Sequence, residues 1–119
     1  FNGTDWCAWN EKPFTIQIDL NGEQILDTIT IGVLSSPRSW IYGPQSIDIE
    51  SSVDGEVFTT IGSREPGNLA GGRHEVLFVI PAVKARFLRI NISPLKSIPE
   101  GKPGAGHTAW TFIDEIAVY

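Results

Sequence analysis

The sequence predicts an all-β domain, an antiparallel β-sandwich of the jelly-roll type. Three observations carry this expectation. Apolar residues recur with a period of two in almost every segment, glycine, proline and Asn/Asp turn residues punctuate the chain at roughly even intervals, and no stretch of ten residues shows the three-to-four-residue apolar period of a helix. With 119 residues, 41% of them hydrophobic and 19% charged, the chain is long enough for one domain with a modest core and too short for two.

Taken in order, Phe14, Ile16, Ile18 and Leu20 share one face of a strand whose other face carries Thr15, Gln17 and Asp19. Asn21-Gly22 is expected to turn the chain before a second alternating set at Ile29, Ile31 and Val33. Ile47 and Ile49 form a third set, which leads through Ser51-Ser52-Val53-Asp54-Gly55 into Val57-Phe58, a hairpin whose Asp-Gly step supplies the positive φ that tight turns need. Residues 65–73 read as a loop. The apolar run from His74 to Ile80, ended by Pro81, reads as a strand buried on both faces. Arg86 to Ser93 alternates again. Lys96 to Thr108, with Pro99, Pro103, Gly101, Gly104 and Gly106, reads as a long surface loop, and Trp110 to Tyr119 as the closing strand.

Charge and cysteine content exclude several functions. Nine Lys+Arg against 14 Asp+Glu give a net charge of −5, which opposes the attraction to phosphate that nucleic acid and anionic lipid both require. Cys7 is the single cysteine, so the chain has neither an internal disulfide nor a Cys/His zinc spacing. No 18-residue apolar run is present.

The same residues offer little for catalysis. Asp114 and Glu115 are adjacent on a strand, so their side chains point to opposite faces unless a bulge intervenes. His74 and His107 belong to no recognisable triad or metal motif, and the sequons at Asn2 and Asn91 carry no weight. Aromatic residues in loops are more informative, because a flat indole or phenol stacks on the C–H face of a sugar while nearby polar groups orient its hydroxyls. Trp9, Trp40, Tyr42 and Trp110 lie at expected strand ends or in loops, whereas Trp6 reads as core. Two prolines, Pro37 and Pro44, bracket Arg38, Trp40 and Tyr42, and a guanidinium can hold vicinal hydroxyls with two parallel bonds. The same loop could instead plug one end of the sandwich. Gly104 to Trp110 forms a second loop, small enough for close approach, with His107 as a hydroxyl donor.

Four segments, Ile16 to Gly22, Ser51 to Phe58, Ala85 to Ile90 and Asp114 to Val118, together resemble the discoidin, or coagulation factor five/eight type C, domain, and the likeness spans nearly the whole chain. Its bacterial relatives include the family 32 carbohydrate-binding modules, and the loops Arg38 to Pro44 and Pro103 to Ile116 are similar to those of the version at the C-terminus of family 20 β-hexosaminidases, or chitobiases. The resemblance implies an eight-stranded jelly roll without catalytic activity, binding an N-acetylhexosamine- or galactose-type glycan on loops at one end. It implies an exported bacterial protein, periplasmic, on the outer surface or secreted, in which these residues form a C-terminal piece joined to a glycosidase catalytic domain and lacking the family's first strand. It further implies a structural calcium, with Thr4 and Glu115 at positions that hold the ion in relatives. Within that frame Trp40 is expected as the platform, Arg38 as the hydroxyl clamp with Tyr42 beside them, and Trp9, His107 and Trp110 as the opposite rim. Rival readings are a purely structural domain packed on a catalytic partner, which predicts buried indoles, and an adhesion module for protein or cell surfaces.

Overall fold

The computed structural model describes residues 2–3, 7–10, 13–36, 40–66, 71–95, 97–98, 100–106 and 109–119, with backbone only for 2, 3, 7–10 and 114. Among them are seven strands and no helix: β1 (Asn2–Gly3), β2 (Cys7–Asn10), β3 (Phe14–Ser35), β4 (Ser46–Ser52), β5 (Thr59–Arg64), β6 (Gly72–Ser93) and β7 (Trp110–Val118). All pairings are antiparallel, in the order β1-β7-β3-β6-β4-β5, with β2 also on β7.

Two strands of 22 residues, β3 and β6, pair from Phe14↔Ile92 to Ser35↔Gly72. Twenty-two extended residues would span about 73 Å, whereas the longest dimension of the molecule is 46 Å. The β3–β6 ribbon therefore bends, and it does so where its register slips, between Asp19 and Gln24 and between Leu26 and Thr28. One half of the ribbon joins β4 and β5 in one layer, and the other half joins β7 in the second. The buried faces of the two layers meet in the main core, which includes Ile18, Leu20, Leu26, Ile29, Ile31, Val33, Ile47, Ile49, Phe78, Ile80, Leu88, Ile90, Ile92, Ile113 and Ile116. Truncating a fully buried member such as Leu88 to alanine costs about 2–5 kcal/mol. The fold is the expected antiparallel β-sandwich.

Three details differ from the sequence reading. Asn21 and Gly22, at φ 61° and 135°, do not reverse the chain. They form a corner inside one continuous strand, and Pro81 likewise sits inside β6 at that corner instead of ending it. The run from His74 to Ile80 is buried on one face only, since Leu77 is 50% and Val79 71% exposed while Phe78 and Ile80 are buried. This half of β6 pairs with β3 alone, so it borders its layer, and residues chosen for β propensity reach solvent there. The connection between β4 and β5 is a six-residue loop and not a two-residue turn. Within it Asp54 Oδ1 accepts from Ser52 Oγ, Glu56 N and Val57 N at 2.9, 2.8 and 3.1 Å, and these donors hold its carboxyl below the usual range.

The outer face of the β4 layer carries a polar ladder. Thr15 Oγ1 donates to Asn91 Oδ1 at 2.7 Å, Asn91 Nδ2 donates to Glu50 Oε1 at 2.6 Å, and Arg86 Nε reaches Asp19 Oδ1 at 3.2 Å. Arg86 lowers the Asp19 pKa, helped by the Asn21 amide. With both ends of its amide engaged inside the ladder, Asn91 is a structural residue.

Candidate functional site

Folding the ribbon in half carries its two ends to the same end of the sandwich. The described residues of the β2–β3, β3–β4, β5–β6 and β6–β7 connections, 13, 36, 40–45, 65–66, 71, 94–95, 97–98, 100–106 and 109, consequently gather at that end, beside the ends of β2 and β7 that carry Trp9 and Trp110. The opposite end holds the ribbon corner and the β4–β5 loop. A groove of about 400 Å³ lies there, lined by Ser51, Ser52, Val53, Asp54, Val57, Thr59, Ile61, Val83 and Lys84. It has no aromatic lining residue and is remote from the proposed site.

The β3–β4 loop closes on itself before reaching β4. Ser36 N donates to Ile41 O at 2.8 Å and Ile41 N to Ser36 O at 3.1 Å. Ile41 then forms a parallel bridge with Trp110, through Trp110 N to Trp40 O at 2.8 Å and Tyr42 N to Trp110 O at 3.1 Å. Two loops far apart in sequence are thus one backbone-bonded unit at the head of β7. Trp40 takes φ 59°, a left-handed conformation that costs an L-residue about 1–2 kcal/mol and needs surrounding structure to hold it.

That structure is a small second core. Tyr42, Ile98 and Ala109 are buried together with Leu95 beside them, and the Tyr42 hydroxyl donates to Pro103 O at 2.7 Å. Gly106 N donates to Ile98 O at 2.9 Å and Ala109 N to Leu95 O at 3.0 Å, tying the long β6–β7 loop down over it. Burial raises the Tyr42 pKa above the ordinary phenol value. The expectation of Tyr42 as a sugar contact needs correction: at 3% exposure its ring supports the loops from beneath. Its aromatic neighbours are outside: Trp40 is 38% and Trp110 42% exposed.

Residues facing each other across a bridge point to the same side, so Trp110 leaves the ribbon with Ile41, and Tyr42 leaves on the other side, toward Pro103. Trp40 is turned toward Tyr42's side, where Gly104 meets its ring. The two indoles therefore flank the bridge and form no continuous shelf. Trp9 enters only through its backbone, paired with Thr111 one residue beyond the Asn10↔Trp110 pair. Arg38, His107 and Thr4 lie outside the described residues. Thr111 Oγ1 is buried and hydrogen-bonds no described residue.

The acidic pair sits in a feature the sequence does not announce. Ile31 pairs with Ile116 but Val33 with Ile113, so Asp114 and Glu115 both fall opposite Gly32 in a β-bulge. Glu115 Oε2 lies 3.6 Å from Arg73 Nη2, and Arg73 also meets Glu75 at 3.1 Å. Calcium takes six to eight oxygen ligands. Among the described residues no group of three His, Cys, Asp or Glu is placed to hold a metal, and the one described member of the expected pair, Glu115, faces a guanidinium.

Comparison with known proteins follows the same lines. No curated protein matches the sequence. Among solved structures, a putative chitobiase fragment from Bacteroides thetaiotaomicron is similar, with TM-score 0.68 and 16% identity over 94% of this chain and 67% of that one. The CBM32 of AlyQ in complex with 4,5-unsaturated mannuronic acid gives TM-score 0.64 and 16% identity, covering 96% of this chain and 76% of that one. CpGH89CBM32-5 from Clostridium perfringens, in complex with GalNAc-beta-1,3-galactose, gives 0.61 and 17%, covering 94% and 74%. At these identities the likeness speaks for the fold. The family is shown by the sequence itself: residues 1–115 match the F5/8 type C domain, and the chain belongs to that family.

Proposed function

We propose that this domain is a noncatalytic carbohydrate-binding module that holds an exported glycoside hydrolase, a chitobiase or related β-hexosaminidase, close to its glycan. The observation that carries the reading is the pair of exposed indoles, Trp40 and Trp110, set by backbone hydrogen bonds at the loop end of the sandwich. A tryptophan with two-fifths of its surface in water and its main chain fixed is a stacking platform in search of a flat apolar ligand face. Neighbours of the same fold were solved with an amino-sugar disaccharide and with an unsaturated uronic acid, which supports a saccharide at this kind of domain without selecting one. Arg38 as clamp, and Trp9 and His107 at the rim, complete the proposed site, with an N-acetylhexosamine or galactose as the first sugars to try.

A single ring on such a surface gives weak affinity, about 10 µM to mM, and multiplication by neighbouring modules. The test is isothermal titration of the folded domain with N-acetylglucosamine, N-acetylgalactosamine, galactose and their short oligomers. Binding that is weakened in Trp40→Ala supports the module, while the absence of heat with every sugar refutes it. Calcium at Thr4 and Glu115 belongs to the same proposal and requires Arg73 to swing off Glu115. A melting temperature higher in calcium than in chelator is the expected result, and equal values remove the ion from the reading.

One observation favours the structural rival in part. The outer face of β6 exposes Leu77 and Val79 beside the Arg73–Glu75 pair, an apolar strip suited to packing against a neighbouring domain. Binding sugar at one end does not compete with such packing on a side.

A further inference from the structure

Gly104, on the β6–β7 loop, faces the Trp40 ring with no side chain between them. A Cβ built on it would lie 2.8 Å from both Cδ2 and Cε2 of Trp40, and 2.8 Å from Ile98 Cδ1. Cδ2 and Cε2 are the two atoms shared by the five- and six-membered rings of indole. A point equally close to both lies on the plane that bisects their bond, and within the plane of the rings any such point 2.8 Å away would lie nearer to other atoms of the indole, whereas these two are the nearest. The approach is therefore onto the indole face, at its centre.

We infer that Gly104 is the positioning residue of the sugar platform: by having no side chain it lets the Trp40 indole lie flat on the β6–β7 loop, which fixes the plane the ligand meets. This rests on the sugar-binding reading above. The surrounding observations fit a platform set before ligand arrives. Trp40 is locked in a left-handed backbone conformation, its carbonyl is held by Trp110 N, and the floor beneath Gly104 is anchored by Tyr42 Oη on Pro103 O and by buried Ile98. Carbon atoms in contact sit about 3.5–4.0 Å apart, so a methyl group at 104 lifts the indole by about 1 Å or tilts it.

A built-in control separates this from backbone strain. Gly101 has φ 84°, nearly the 81° of Gly104, yet a Cβ there meets nothing within 4 Å. Alanine at either position carries the same left-handed penalty, and only alanine at 104 collides with Trp40. The experiment titrates N-acetylgalactosamine, N-acetylglucosamine and galactose into wild type, Gly104→Ala, Gly101→Ala, Trp40→Ala and the Gly104→Ala/Trp40→Ala double variant, with near-ultraviolet circular dichroism on each. The expected result is affinity about three- to tenfold weaker in Gly104→Ala, unchanged in Gly101→Ala, and no lower in the double variant than in Trp40→Ala. Wild-type affinity in folded Gly104→Ala overturns the inference, as does an equal loss in Gly101→Ala or a further loss on top of Trp40→Ala. If wild type binds none of the sugars, the functional reading falls, and the spectra still decide the placement: Gly104→Ala must change the aromatic signal in the wild-type background and not in the Trp40→Ala background. Should Gly104→Ala fail to fold, both variants are remade with Ile98→Val, which removes the other atom a Cβ at 104 would meet at 2.8 Å; recovery of folding only when Trp40→Ala is present supports the collision, and failure in both refutes it.

Discussion

Replacing Tyr42 by phenylalanine separates a residue that supports the loops from one that touches a ligand. The change removes one part-buried O–H···O bond of 2.7 Å to Pro103 and keeps the ring that packs on Ile98, Ala109 and Leu95. Pro103 is exposed, so its freed carbonyl can take water, and the loss is the net value of a hydrogen bond, about 1 kcal/mol. For a chain of this length that lowers the melting temperature by about 3–6 °C. Deleting the ring in Tyr42→Ala adds a cavity and costs about 3–5 kcal/mol.

The pH dependence gives a second handle on the same bond. Burial raises the Tyr42 pKa in the folded state above its unfolded value, so the folded state keeps the proton longer. The contribution is complete below the unfolded pKa, about 10, and declines as pH rises from there through the folded value. Urea unfolding at neutral pH and between pH 9.5 and 11 measures both effects: wild type is the more stable at neutral pH, and its advantage over Tyr42→Phe shrinks in the alkaline range. A variant equal to wild type at neutral pH, or a gap that widens with alkali, refutes the assignment. A large loss of sugar affinity with the fold intact returns the Tyr42 hydroxyl to the binding surface.

Other outcomes follow from the same geometry. Gly62→Ala places a methyl group 2.9 Å from Phe78 Cδ2 where β5 borders the core, and should destabilise by about 1–3 kcal/mol in urea without altering sugar titrations. Asn91→Asp sets a carboxylate against Glu50 Oε1, now 2.6 Å from Asn91 Nδ2, so it should lower stability at pH 7 and recover part of the loss as pH falls toward 4. Asp19 and Asp54 have folded pKa values lowered by Arg86 and by backbone amides, so their stabilisation is present above the unfolded carboxyl pKa and lost as pH falls through the folded values. Acid unfolding of Asp19→Asn and Asp54→Asn should show a shallower decline than wild type between about pH 4 and 2, and identical slopes would remove both carboxylates from the account.

Strand identity was legible because it is local. Alternation in Phe14 to Leu20, in Ile29 to Val33 and in Arg86 to Ser93 reports a half-buried pleat, and the structure has those faces buried as read. The chain likewise announces its aromatic loops, since Pro37, Pro44 and the glycines around Gly104 are clustered turn formers that weaken a sheet. Where the long strands bend was not legible: Asn21-Gly22 has the same composition whether the chain reverses or turns a corner, and the pairing of β3 with β6 across the register slips makes the choice. Thr59 to Arg64 and Cys7 to Asn10 carry no clear alternation, and they are strands because β4 and β7 offer edges to pair with.

The sequence alone therefore determined the two-layer all-β class, the aromatic supply and the family, all of which rest on side-chain type and spacing. Only the tertiary structure decided that Tyr42 is buried beneath the loops while Trp40 and Trp110 stay exposed, that Asp114 and Glu115 share a bulge, and that Gly104 underlies an indole. Each of these depends on contacts between residues far apart in the chain, such as 42 with 103, 40 with 104 and 73 with 115, and such pairings exist only once the ribbon has folded its two ends together.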